Sequence, residues 1–212
     1  MPENYASTVF ENDQKVNELF KGMEDDFKMI RPWKLQFGSE CTQRAETWTY
    51  EMDQVKQIKS QKVFVFYTRA YHEYYRKTQG KKFIWWFHVA PYVLVKNTDG
   101  NTEERVLDKV FADSPQNMKD WTDIFIKSKE KCIENVPFAS FEGDVTGEGA
   151  SYNRNAHCYI VRAPMYDMFP GDADARERGT RNELKWDMNE VYYAAKSLPL
   201  GERNKFFKRV GL

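Results

Sequence analysis

An α+β fold is what this chain of 212 residues predicts, and three observations predict it. A helical pattern with one apolar face opens the chain. A block of β-branched and aromatic runs containing one hairpin turn follows it, and helical patterns return afterwards. The expected architecture is an antiparallel sheet packed on a helix that carries a cysteine, Cys41.

In order along the chain, Val16, Leu19, Phe20, Met23, Phe27 and Ile30 recur at helical spacing over residues 13–30, and Pro32 forces a break. Residues 33–38 read as a short connection or strand. Ser39 can cap a second helix with Cys41 in its first turn, and Ala45, Trp48, Met52 and Val55 continue the face of Cys41. Residues 62–68 (KVFVFYT) read as a strand. Residues 69–80 are polar and aromatic, with no regular element assigned. Residues 82–96 read as a long strand in which Pro91 demands an edge position or a bulge. Asn97-Thr98-Asp99-Gly100 is a hairpin turn, and residues 103–108 (EERVLD) are its antiparallel return strand. Residues 114–132 read as a helix carrying Met118, Trp121, Ile124, Phe125 and Ser128. Residues 139–157 read as a loop, 158–162 (CYIVR) as a short strand, 164–182 as irregular, and 183–196 as a helix before a basic tail. The expected division is a helical N-terminal segment over 1–38, either part of the same domain or a pro-segment remnant, and a main domain over 39–212.

Composition narrows the function classes. Basic and acidic residues balance at 32 each, so nothing electrostatic calls for nucleic acid or a membrane surface as partner. No apolar run approaches a membrane span; the longest, from Phe83, is bounded by Lys82 and His88. The start, MPENYASTVFENDQKV, lacks the basic and apolar regions of a signal peptide. A mature form already trimmed of its leader would look the same, so a cytoplasmic protein, a delivered effector and a mature secreted form all stay open. Three widely spaced cysteines, Cys41, Cys132 and Cys158, make no disulfide framework, although one bridge plus one free thiol is compatible with them.

A nucleophilic cysteine needs an electrostatic setting that favours its thiolate, which a helix N-terminus and a nearby imidazole supply. It needs a base, and the imidazole needs an orienting acceptor. The chain offers these in order: Cys41 at a helix start, His88 in FHVAPYV, and Asp108 in RVLDKVF. Counted from the turn, His88 and Asp108 lie about equally far along paired strands, where cross-strand neighbours are roughly 5 Å apart. Each residue singly also fits an ordinary role: a buried core cysteine, a satisfied core histidine, a turn aspartate. Together they form a candidate active site.

Other signals rank lower. Cys132, His157 and Cys158 do not match zinc spacing. Asp167, Asp172 and Asp174 lack the glycine and closing glutamate of a calcium loop. His72 is a rival base with no acidic partner on a paired strand. Trp85 and Trp86 alternate across a strand, so one belongs to the core and the other lines a substrate cleft. Arg44 packs or pairs beneath the cysteine helix. Tyr159 and Arg162 are wall residues on the late strand.

The segments CTQRAETWTY, WFHVAPYVLVKNTDGNTEERVLDKVFADSPQNMKDW and CYIVRAPMYD resemble the bacterial protein-glutaminase family. That family has a Cys-x-x-Arg-Ala helix start, a His-Val-Ala-Pro strand, a strand ending in Asp, a later tryptophan, and a late strand of the Tyr-x-x-Arg-x-Pro kind. The resemblance covers about residues 39–167, and its specific part is His-Val-Ala-Pro with the hairpin and terminal Asp. It implies a transglutaminase/papain-like core and hydrolysis of the side-chain amide of protein-bound glutamine to glutamate and ammonia. Cys41 would be the nucleophile, His88 the base and acid, and Asp108 the orienting acid; apart from the resemblance, Trp85, Trp86 and Tyr159 are the candidate substrate-binding residues read from their strands. It implies no metal or organic cofactor, a protein substrate presenting glutamine, and room for an inhibitory segment or partner over the cleft. The alternatives are a transglutaminase or cysteine protease with the same triad, or a non-catalytic interaction domain with Cys41 buried.

Overall fold

The run read as the first strand, residues 62–68, lies in the middle of a six-stranded sheet. In the computed structural model, which describes residues 5–23, 40–83, 85–126, 128, 131–137, 155–168 and 184–212, the strands are β1 (Val9–Phe10), β2 (Gln61–Tyr67), β3 (Phe87–Lys96), β4 (Thr102–Val106), β5 (Cys132–Pro137) and β6 (Cys158–Pro164). Their order is β1-β3-β2-β6-β5, with β4 also paired to β3. The helices are α1 (Asp13–Gly22), α2 (Cys41–Lys56), α3 (Arg69–Gln79), α4 (Met118–Phe125), α5 (Met188–Ala195) and α6 (Leu200–Val210). The fold is α+β, as expected, but the sheet is mixed rather than antiparallel. The central pairs β2–β3, β2–β6 and β3–β4 are antiparallel, while β1 runs parallel to β3 and β5 parallel to β6.

Every residue of β2 is buried, which requires cover on both faces. Phe64 and Phe66 point toward Cys41 and Ala45 of α2, while Val63, Val65 and Tyr67 point toward Tyr71 of α3 and Trp121 and Phe125 of α4. Helix α2 is itself enclosed. Cys41 and all nine residues from Arg44 to Met52 are buried, because the sheet lies on one side and α1, α5 and α6 close the other. The one-faced apolar pattern expected of α2 is therefore too narrow. Polar residues enter its buried faces with their needs met internally: Thr47 Oγ1 donates to the Gln43 carbonyl and Thr49 Oγ1 to the Ala45 carbonyl, at 2.9 and 2.8 Å.

Three expected boundaries move for identifiable reasons. Residues 69–79 form α3, capped by Thr68, whose Oγ1 accepts from Tyr71 N–H, and ended by Gly80 in the left-handed region. Its buried face is built from tyrosines, which a polar/apolar count overlooks. The long strand begins at Phe87, so residues 81–86 precede it and the alternation argument does not apply to Trp85 and Trp86. Helix α4 is shorter than the expected 114–132. Asn117 caps it, Gln116 bridges to Val106, and Cys132 starts β5 instead of ending the helix. Pro91 is accommodated because its carbonyl accepts from Leu107 N–H just where the β4 ladder runs out, so its ring nitrogen removes no ladder bond. The expected continuation of the first helix over 24–30, the Ser39 cap, and Asp172 and Asp174 lie outside the described residues.

The N-terminal segment joins the same core: Val16, Leu19 and Phe20 of α1 pack with Trp48 and Met52 of α2 and Phe206 of α6. Cys132 and Cys158, register partners at the start of β5 and β6, form a disulfide with Cα atoms 4.5 Å apart, which removes both as thiolate metal ligands and leaves Cys41 as the free thiol.

A buried ion pair ties α2 to the sheet. Lys62 of β2 donates to the Glu46 carboxylate, both essentially inaccessible, and to the Asp167 carbonyl at 3.1 Å. Burial raises Glu46 to about 7, against the pull of Lys62. Lys62→Met is expected to lower stability by about 3–5 kcal/mol at about pH 8, where it strands a buried charge, and by clearly less at about pH 5, where Glu46 takes a proton. Urea unfolding at the two pH values checks this; equal losses would show that the pair's charge is not what matters.

Candidate active site

Cys41 is the first residue of α2. The residue before it, Glu40, has φ 50° and ψ 27°, a left-handed conformation uncommon for a residue with a Cβ, and its side chain makes no capping bond. The chain therefore turns sharply into the helix at the cysteine. The first-turn N–H groups lack helical acceptors and point outward from the helix start, where the macrodipole is positive.

His88 is the second residue of β3 and Asp108 lies two residues beyond the end of β4. The observed register sets Tyr92 opposite Val106, so His88 would face Val110 if the ladder continued, not Asp108. The expected direct cross-strand pairing is thus off by two residues. The contact forms because the chain leaves the ladder after Val106 and turns: Phe111 and Ala112 N–H both donate to the Asp108 carbonyl, which swings the carboxylate toward β3. His88 Nε2 donates to Asp108 Oδ2 at 2.7 Å, Trp121 Nε1 donates to the same oxygen at 2.9 Å, and Val110 N donates to Oδ1 at 3.3 Å. With Nε2 engaged, Nδ1 is the atom left to face Cys41, which hydrogen-bonds the imidazole. Cys41, His88 and Asp108 are 4%, 2% and 2% exposed.

The electrostatics follow from this packing. Burial among Trp85, Phe111, Trp121 and Phe125 pushes the His88 imidazolium toward losing its proton. The Asp108 charge and hydrogen bond, and then the Cys41 hydrogen bond and charge, outweigh it and hold His88 up to about 9. The imidazolium is thus kept charged beside a thiol at neutral pH.

The remaining expected site residues divide. Trp85 stacks near His88, with ring centroids 6.0 Å apart, and forms part of its wall. Trp86 is 43% exposed and stacks on His72 at 4.2 Å. Tyr159 is buried in the same apolar cluster as Cys41, with Phe64, Phe66 and Val89. Arg162 makes a bidentate pair with Glu104 at 2.6 and 2.8 Å. His72 lies on α3 and its Nε2 donates to the Trp85 carbonyl at 3.0 Å; burial lowers its pKa, the opposite of His88. His157 hydrogen-bonds Ser128 and packs on Tyr74, lining a groove of about 670 Å³ with Lys77, Lys131, Cys132 and Ala156. Cys41, His88 and Asp108 do not line this groove.

Trp121 was not singled out as an Asp108 ligand from the residues alone; a tryptophan in a helix reads as core. The spacing of 13 residues to Asp108 shows nothing until the turn brings both together. Arg44, expected to pack or pair beneath the cysteine helix, is buried, with Cys41 and Asp108 among the charges that act on it.

The family model for glutaminase of the glutamine-deamidase type matches residues 16–125, just over half of the chain and a span holding Cys41, His88 and Asp108. The chain belongs to the protein-glutaminase family. Solved protein-glutaminases share its fold. The chain covers 90% of itself and 87% of the protein-glutaminase from Chryseobacterium proteolyticum determined by NMR, at 15% identity and a TM-score of 0.50. A crystal structure of protein-glutaminase gives 90% and 88% coverage, 15% identity and a TM-score of 0.51. A crystal structure of pro-protein-glutaminase gives 92% and 60% coverage, 15% identity and a TM-score of 0.52. No curated protein gives a significant sequence match.

Proposed function

We propose that this protein-glutaminase family member hydrolyses the side-chain amide of protein-bound glutamine, releasing ammonia and leaving glutamate, with Cys41, His88 and Asp108 as its catalytic residues. The observation that carries the reading is the chain of contacts from a free cysteine at a helix start, through an imidazole held in its charged form, to a buried carboxylate.

The Cys41 thiolate attacks the amide carbon, and the carbonyl π electrons move to oxygen. The resulting oxyanion is held by backbone N–H groups of the first turn of α2, that of Cys41 included. As the C–N bond breaks, the proton on His88 Nδ1 goes to the leaving nitrogen, so ammonia departs and a thioester remains. Neutral His88 then takes a proton from water, hydroxide adds to the thioester, and thiolate is expelled as glutamate is freed. Asp108 holds Nε2–H throughout, which fixes the tautomer that turns Nδ1 toward sulfur. Trp85, Trp86 and Tyr159 are the proposed contacts for the substrate around the glutamine. No step requires a metal or organic cofactor. The pro-protein-glutaminase that shares this fold supports a covering segment or partner as a means of control.

The test is ammonia release with intact-mass analysis of a glutamine-rich protein, with and without a primary amine donor. Hydrolysis is expected: a gain of about one mass unit per ammonia. Incorporation of the amine in preference to water would make the enzyme a transglutaminase, and peptide-bond cleavage would make it a protease. Absence of all three, with Cys41 inert to iodoacetamide, would leave a non-catalytic domain.

A further inference from the structure

Arg44 lies three residues after Cys41, so the two side chains share one face at the start of α2. It is a cation taken wholly inside the fold: 5% exposed, with Nη2 sealed from solvent and without a hydrogen-bond partner. A buried guanidinium with an unmade hydrogen bond is costly to the fold. The nearby charges that act on it are Cys41 first, then Asp108 and Glu40. Nη2 is inaccessible, so Arg44 is not a contact for substrate. Its reach is electrostatic.

Counting charges shows what it does there. With the site in its ion-pair form, Cys41 and Asp108 are anions and His88 a cation, leaving one uncompensated negative charge in a dry interior. The other titratable groups in electrostatic reach are His88 of β3, Asp108 of the turn after β4, and Tyr67 of β2, whose hydroxyl burial keeps neutral; Glu40 precedes the helix. Arg44 supplies the balancing cation on the thiol's own helix.

We infer that Arg44 is a positioning residue whose fixed buried charge, one helical turn from Cys41, holds the sulfur in its reactive thiolate form. The inference rests on Cys41 being the nucleophile. Without Arg44 the sulfur takes up a proton at moderate pH while His88, held by Asp108, stays charged, which keeps the shape of the site and loses its nucleophile.

The experiment is the rate of Cys41 alkylation by iodoacetamide against pH, for the wild type, Arg44→Met, Arg44→Gln and Arg44→Lys, with thermal unfolding of each. In the neutral variants the acid limb is expected to move up by about one pH unit, making alkylation roughly tenfold slower at about pH 6. Arg44→Lys restores a cation and keeps most of the wild-type limb. A limb that stays in place in a folded neutral variant overturns the proposal, as does a folded Arg44→Lys that loses it. If neither neutral variant folds, Arg44→Lys alone decides. An unreactive Cys41 in the wild type would instead overturn the nucleophile assignment, a separate result.

Discussion

Replacing Cys41 with alanine is expected to lower ammonia release from protein glutamine by about ten-thousandfold or more, with the protein still folded. Loss on this scale follows because the thioester route needs a sulfur at this position, and the remaining groups only polarise and orient. Alanine removes one heavy atom from a cluster with Ala45, Phe64, Phe66, Val89 and Tyr159, so the packing cost is about 1 kcal/mol. The melting temperature should therefore barely move while turnover vanishes. Cys41→Ser separates shape from chemistry: it fills the space and remains nearly inactive, because the neighbouring imidazolium does not ionise a hydroxyl as it does a thiol. Purified Cys41→Ala that released ammonia at even a tenth of the wild-type rate would end the nucleophile assignment.

Asp108→Asn is the second large effect, expected at about a thousand- to ten-thousandfold in kcat. One oxygen of Asp108 accepts from both His88 Nε2 and Trp121 Nε1, and the other accepts from Val110 N. An amide has a single acceptor oxygen. Either it keeps the His88 and Trp121 bonds and turns its NH₂ against the Val110 N–H, or it flips and presents donors to donors. In both cases the negative charge that holds His88 up to about 9 is gone, while the burial that lowers it remains. The wild type should lose activity as pH rises through about 9, where the imidazolium that protonates ammonia disappears. In Asp108→Asn this alkaline limb moves down. The stability consequence has the same sign. A histidine raised above its ordinary 6.5 stabilises the fold fully below that value and ceases to do so as pH rises through about 9. The variant should therefore lose that contribution at neutral pH. Ammonia release and melting temperature, each measured against pH, check both limbs. An unchanged alkaline limb in the variant would mean that Asp108 does not set the charge of His88.

The candidate site was more legible in the chain than the architecture around it. His88 and Asp108 flank a turn that Asn97-Thr98-Asp99-Gly100 announces, and Cys41 opens a helical pattern, so local chemistry places Cys41 and His88 on the right elements and Asp108 two residues past the strand expected to end on it. The detail of their meeting was not legible. Equal counting from the turn made His88 and Asp108 direct partners, whereas the ladder ends at Val106 and a turn delivers the carboxylate diagonally. Helix α3 escaped notice because its buried face is made of tyrosines, whose hydroxyls blur a polar/apolar pattern. The pairing of Cys132 with Cys158 stayed open because it depends on β5 and β6 lying side by side, a contact across 26 residues of separation.

By itself, the sequence determined which segments carry helix and strand periodicity, where the hairpin turns, and the chemical types at Cys41, His88 and Asp108. These follow from interactions between residues close in the chain. The tertiary structure alone decided that β1 and β5 add in parallel, that α2 is enclosed on every side, that Trp121 shares the Asp108 oxygen, and that Arg44 is sealed inside beside the thiol. Those outcomes depend on which distant surfaces bury one another, and burial, more than residue type, sets how strongly a charge is felt.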